Sequence, residues 1–195
     1  VVSMASLAGA EQFARIGGYW GQFTRIPVDA RGEAMGLATT VNPQGPLAFW
    51  WNPAPLPESD RVEVSYTIRD YAADLEWRPL AVRMSRDNLT FGVTWCHLGS
   101  DPMLIRTAFE PDGDGETFEI SSDLVLISGA VDLVPWLVDG PSPWAWSVGA
   151  NTRYVREKLV EDETSAIDGD LGTTLARTLV DDEGYVSIID DDPFD

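Results

Sequence analysis

Residues 61–70, RVEVSYTIRD, alternate apolar and polar side chains without a break: Val62, Val64, Tyr66 and Ile68 fall on one side, and Glu63, Ser65, Thr67 and Arg69 on the other. A two-residue period is what a β-strand with one covered face requires. The runs that follow, PLAVRM, LTFGVTW, MLIRTAF, TFEI, DLVLIS and WAWSV, are short, rich in β-branched and aromatic residues, and separated by Gly, Pro, Asp or Ser. This texture predicts a mainly β chain: a single β-sandwich or barrel-like domain over residues 25–155, with a short N-terminal helix and an acidic C-terminal arm.

The flanks read differently. In ASLAGAEQFARI, residues 5–16, Leu7, Phe13 and Ile16 have the spacing of a short amphipathic helix, and Gly17 and Gly18 would end it. Residues 1–24 are therefore expected to form a helical arm. From residue 156 to 195, 13 acidic residues face 3 basic ones, and Leu171, Leu175 and Leu179 recur at four-residue spacing. This arm is expected to hold a short helix and a small strand, YVSII, and to dock on neighbouring subunits rather than on its own acidic chain. Within the β domain, Pro43, Pro46, Pro53, Pro55 and Pro57 bracket the apolar LAFWW. Proline lacks the donor that a central strand needs, so this stretch reads as an extended loop or edge strand.

A chain of 195 residues with 44% hydrophobic content can bury one substantial core. Its single cysteine rules out an intramolecular disulfide. No run approaches the roughly 18 apolar residues of a membrane helix, and the first residues lack the basic region and apolar core of a signal peptide. The expectation is a soluble protein of the cytoplasm or of a virion. Asn88-Leu89-Thr90 fits a glycosylation pattern but reads as an ordinary strand start.

The net charge of −19 is unevenly placed. Residues 1–98 carry 8 Arg against 10 acids, whereas residues 99–195 carry 5 basic residues against 22 acids. Adaptation to high salt would spread acid over the whole surface, and the near-neutral first half argues against it, although Lys158 as the single lysine argues the other way. So negative a chain repels phosphate backbones, which excludes sequence-specific nucleic-acid binding as an expectation.

Cys96 and His97 are the chain's one cysteine and one histidine, and they are adjacent. On a strand, successive side chains point to opposite sides, so the two are not a dyad and Cys96 reads as structural. The loop FEPDGDGETFE places Asp112, Asp114 and Glu116 on alternate positions, like a calcium loop. With Glu110 as position 1, however, Ser121 stands where the bidentate Glu is required, and a hairpin turn is the better reading. There is no Gly-x-Ser-x-Gly elbow, and the glycines beside carboxylates carry the wrong charge for a phosphate cradle. Carboxylate pairs are numerous enough to arise by chance. No catalytic residue, metal ligand or cofactor is therefore assigned.

Of the eight tryptophans, most read as core. Trp50 and Trp51 are adjacent, and on a strand at least one of them would emerge. Phe49, Trp50 and Trp51, with Leu171, Leu175 and Leu179 of the arm, are the expected partner interface. The sequence thus points to a non-enzymatic structural or assembly protein bound to other protein subunits in a homo- or hetero-oligomer, such as a tailed-phage head or tail component. Its rivals are a carbohydrate-binding β-sandwich that uses exposed Trp and a small β-fold enzyme with paired carboxylates.

Overall fold

Long antiparallel strands in a meander form the body of the molecule. The computed structural model describes residues 21–40, 43–57, 60–71, 74–106, 112, 115–140, 142–159, 162–177, 179–180 and 186–187. The expected helix over 5–16, the acidic end beyond 187 and part of the calcium-like loop lie outside these residues.

Seven strands form one sheet: β1 (Arg61–Tyr66), β2 (Arg69–Asp70), β3 (Leu75–Arg86), β4 (Leu89–Ser100), β7 (Ile120–Asp132), β8 (Trp144–Leu159) and β9 (Asp162–Arg177). The order across it is β1-β3-β4-β7-β8-β9, with β2 also on β3, and every pairing is antiparallel. Two small ribbons stand apart, β5 (Met103–Leu104) with β6 (Thr117–Phe118), and β10 (Leu179–Val180) with β11 (Val186–Ser187). The mainly β expectation holds. The sheet is open, with β1 and β9 at its edges, so it is not a closed barrel. Among the described residues no helix is long and apolar enough to cross a membrane.

One face of the sheet is covered by residues 21–40 and 43–57, which include α1 (Ala30–Ala34) and α2 (Ala48–Trp51). Phe23, Val28, Leu47 and Phe49 from this segment close over Trp77, Ala81, Cys96, Leu98, Leu124, Leu126 and Val155. Phe23 meets Trp77 edge to face, with centroids 6.2 Å apart. Three positions of the covered face are glycines because the segment comes so close. A Cβ on Gly92 would lie 2.4 Å from the Phe49 ring, one on Gly149 2.0 Å from the Pro53 carbonyl oxygen, and one on Gly172 3.0 Å from the Pro53 ring.

The covering segment is largely irregular, so its carbonyls need donors from outside. The sheet provides them. Arg83 donates to Leu56 O at 2.8 Å and to Gly45 O at 3.3 Å, Asn151 to Phe49 O at 2.9 Å, and Ser147 to Pro55 O at 3.3 Å. Asn52 links Thr40 O and Thr174 Oγ1, each at 3.0 Å, and accepts from Ala54 N. Arg83 is buried, and Glu63 stands 3.7 Å from its guanidinium. Arg83 therefore acts as a charged strut between sheet and cover.

Several expectations change. AFWW is a helical turn, not an extended stretch: Asn52 N bonds back to Ala48 O, and Pro53 follows where it cannot continue the helix. The helix expected through Leu171 and Leu175 is instead strand β9, paired in the same chain with β8 from Asp162 to Arg177. Docking in trans is not needed to order these residues, because backbone pairing outweighs the diffuse charge repulsion. The apolar side of β1 is not the covered side: Val62 and Val64 are both 64% exposed.

Two predictions follow from the close approach and the strut. Gly149→Ala should lower the unfolding free energy by about 2 kcal/mol, because backbone must move. Gly129→Ala, whose Cβ would meet only the Phe91 ring at 3.7 Å, should stay within about 0.5 kcal/mol of the parent. Arg83→Ala should cost about 3 kcal/mol, since it removes the donor to two carbonyls of the cover and empties a fully buried site. Urea titration of the three variants checks all of these outcomes.

Candidate functional site

The side of the sheet opposite residues 21–40 and 43–57 carries most of the large apolar side chains, and in the single chain most of them are exposed. The register arranges them in rows across the strands. Val64, Val82, Val93 and Ile127 form one row, Tyr66, Leu80, Trp95, Val125, Tyr154 and Ile167 the next, and Val62, Met84, Phe91, Gly129, Ala150 and Leu171 a third. Leu89, Val131 and Val148 extend the surface toward Trp146 and Leu175. Ile127 is 59% exposed, Leu171 58% and Leu175 66%. Six strands about 4.8 Å apart, with rows spanning about 20 to 34 Å along them, give roughly 500 to 800 Å² before side-chain relief is counted. Single apolar residues at a surface are ordinary, whereas a contiguous patch at the upper end of this range exceeds the roughly 300 to 600 Å² common on monomers.

The patch has relief. Gly129 and Ala150 leave a trough of about 590 Å³ bordered by Leu89, Phe91, Val131, Val148 and Leu171. Its rim is charged with both signs. At one end Arg78, His97, Asp123 and Arg156 form a cross-strand row. His97 Nδ1 lies 2.9 Å from Asp123 Oδ1, and Trp95 Nε1 donates to the same oxygen at 3.2 Å while its ring stacks on the imidazole. Arg78 bonds Glu76, and Arg156 holds Glu163 by two bonds of 2.8 and 2.9 Å. These hydrogen bonds hold both carboxyls below the usual carboxylate range. Such rim pairs are solvent-screened, so they orient more than they stabilise.

A second concavity of about 490 Å³ adjoins this rim, lined by Asp70, Asp74, Glu76, Arg78, His97 and Asp101 among others. Its His97–Asp123 couple orients an imidazole, but no thiol reaches it. Cys96 leaves β4 on the covered face, fully buried, and desolvation pushes its pKa up to about 12. A thiol so placed is neither nucleophile nor metal ligand. Among the described residues no group of three or more His, Cys, Asp or Glu side chains could hold a metal ion.

The residues expected at a partner interface divide. Leu171 and Leu175 lie on the open face, as an interface requires. Phe49 does not: only 1% of it is exposed, and it belongs to the chain's own core. Trp50 and Trp51 are half-buried against that core, with Arg153 placed 5.9 Å over the Trp50 ring. Leu179 opens β10, and its side chain lies outside the described residues. Phe91, Ile127, Trp146 and Ile167 were not singled out, because an alternating strand shows two faces without saying which is covered. Comparison with protein-family models, with curated proteins and with solved structures gives no match.

Burial of Cys96 predicts a pH dependence. An unfolded thiol titrates near its ordinary value of 9.0, and the folded one near 12. Below 9.0 both states are protonated and the contribution to stability is complete. As pH rises from 9.0 toward 12 the unfolded state alone loses its proton, and stability falls by up to about 1.4 kcal/mol per pH unit. Urea titrations of the parent and Cys96→Ala across this window should show the steeper loss in the parent.

Proposed function

We propose that this chain is a non-enzymatic assembly subunit whose open sheet face is its contact with other protein subunits. The observation that carries the reading is the contiguous apolar face, covered by none of the described residues although residues 21–40 and 43–57 close the other face. Burying such a surface is the largest favourable term available to association. The charge distribution supports the same reading. The strands present five basic side chains on this face (Arg78, Arg86, Arg156, Lys158 and Arg177) against four acidic ones (Asp70, Glu76, Asp123 and Glu163), in a chain of net −19. Among the described residues most acidic side chains lie off this face, and a surface so negative repels nucleic acid.

The setting proposed is a multi-subunit particle, of which a tailed-phage head or tail is one kind. An acidic outer surface suits a protein that must sit near packaged DNA without binding it. The carbohydrate-binding alternative keeps one observation of its own: the half-buried Trp50 and Trp51 line a concavity of about 540 Å³ with Asn52, Asn151 and Asp170.

Hydroxyl-radical footprinting of the particle that contains the chain tests the proposal. Phe91, Trp95, Trp146 and Tyr154 should be protected in the assembled form and reactive in the isolated, dissociated chain. Equal reactivity of all four rings in both forms would overturn it.

A further inference from the structure

We infer that the occupant of the open face is a second copy of this chain, packed face to face about a two-fold axis so that two single sheets make one sandwich; this rests on the assembly reading above. The first ground is self-complementarity. In a two-fold interface the same patch must serve as both knob and hole. This one has knobs at Ile127, Leu171 and Leu175 and a hole over Gly129 and Ala150. Its rim likewise holds both signs, with Arg78 and Arg156 beside Asp123, Glu76 and Glu163. A rim of one sign would repel its own copy.

Charge supplies the second ground. Two chains of −19 repel one another over most orientations. The open face, with five basic side chains against four acidic ones, is a near-balanced surface on which the copies can meet with little net repulsion. Area is the third ground. The patch of roughly 500 to 800 Å² in projection approaches the ~800 Å² per partner of a stable interface once side-chain relief is included. Two twisted sheets pack about 10 Å apart at about −30°, with inward side chains interdigitating, and the knob and hole described here suit that geometry.

Sedimentation equilibrium on the purified full chain decides the matter. The expected mass is twice 21.4 kDa, with a dissociation constant in the micromolar range or tighter. Phe91→Glu and, separately, Ile127→Lys should weaken dimerisation at least ~30-fold, as hot-spot losses do. Both side chains point to solvent in the single chain, so unchanged circular dichroism is expected. Met35→Lys, on the covering segment, should leave the dimer intact. Raising salt should strengthen association, since the net repulsion is screened while apolar burial persists. A parent chain that stays monomeric at all accessible concentrations overturns the inference, and so does a dimer that both open-face variants leave unchanged. If the parent is monomeric yet Phe91→Glu still abolishes incorporation into the particle, the second copy is refuted and the assembly reading survives. If Phe91→Glu affects neither, both fall.

Discussion

Arg83, Asn151 and Ser147 donate to carbonyls of residues 45–56, and the rest of the structure depends on those bonds. A proline-rich segment cannot satisfy its own backbone, and on an apolar sheet face its carbonyls would be stranded at a cost of about 1 to 3 kcal/mol each. The covering segment therefore meets the side of the sheet where buried Arg83, Thr90, Thr94, Ser128 and Asn151 stand among apolar Trp77, Leu98, Leu124, Leu126 and Val155. The usual division is partly inverted as a result. The side that the chain itself covers is a mixed apolar and polar core, and the open side still holds much of the large apolar surface.

That inversion explains what the sequence could and could not disclose. The strand from Arg61 to Tyr66 was legible because alternation with period two has one simple cause. Which side faced inward was not, since alternation is symmetric until something covers one side, and here the cover recognises hydrogen-bond donors and gaps at glycine. Leu171 and Leu175 show a second ambiguity. A four-residue spacing places side chains on one face of a helix, but four is also an even number, so the same residues share one face of a strand. Pairing with β8 decided for the strand. Phe49 to Trp51 turned helical because Leu47 and Phe49 had to reach the space above Gly92 and its neighbours, a requirement that no local pattern carries. Cys96 and His97 were separable from sequence alone, because parity along a strand does not depend on the fold around it.

For the site, the legible part was composition: aromatic and branched residues in excess of what one small core absorbs. Their gathering on one surface required the register. Phe91 belongs to the same row as Met84, Val62 and Leu171, although these residues are distant in the chain. Proximity of that kind comes from the strand order.

A lone open sheet can also grow sideways, and its two edges bear on what kind of object it becomes. Among the described residues β9 ends the sheet with a row of unpaired backbone groups, the template on which another strand could add. Yet this strand carries Asp162, Glu163, Asp168 and Asp170 against Arg177 alone, and Gly169 and Gly172 interrupt it. Stacking an identical acidic strand alongside would bring carboxylates into register, so lateral addition is penalised at each step. β9 thus behaves as a selvage, the woven border that keeps a cloth from unravelling or extending. Sideways growth by strand addition is therefore disfavoured at the β9 edge.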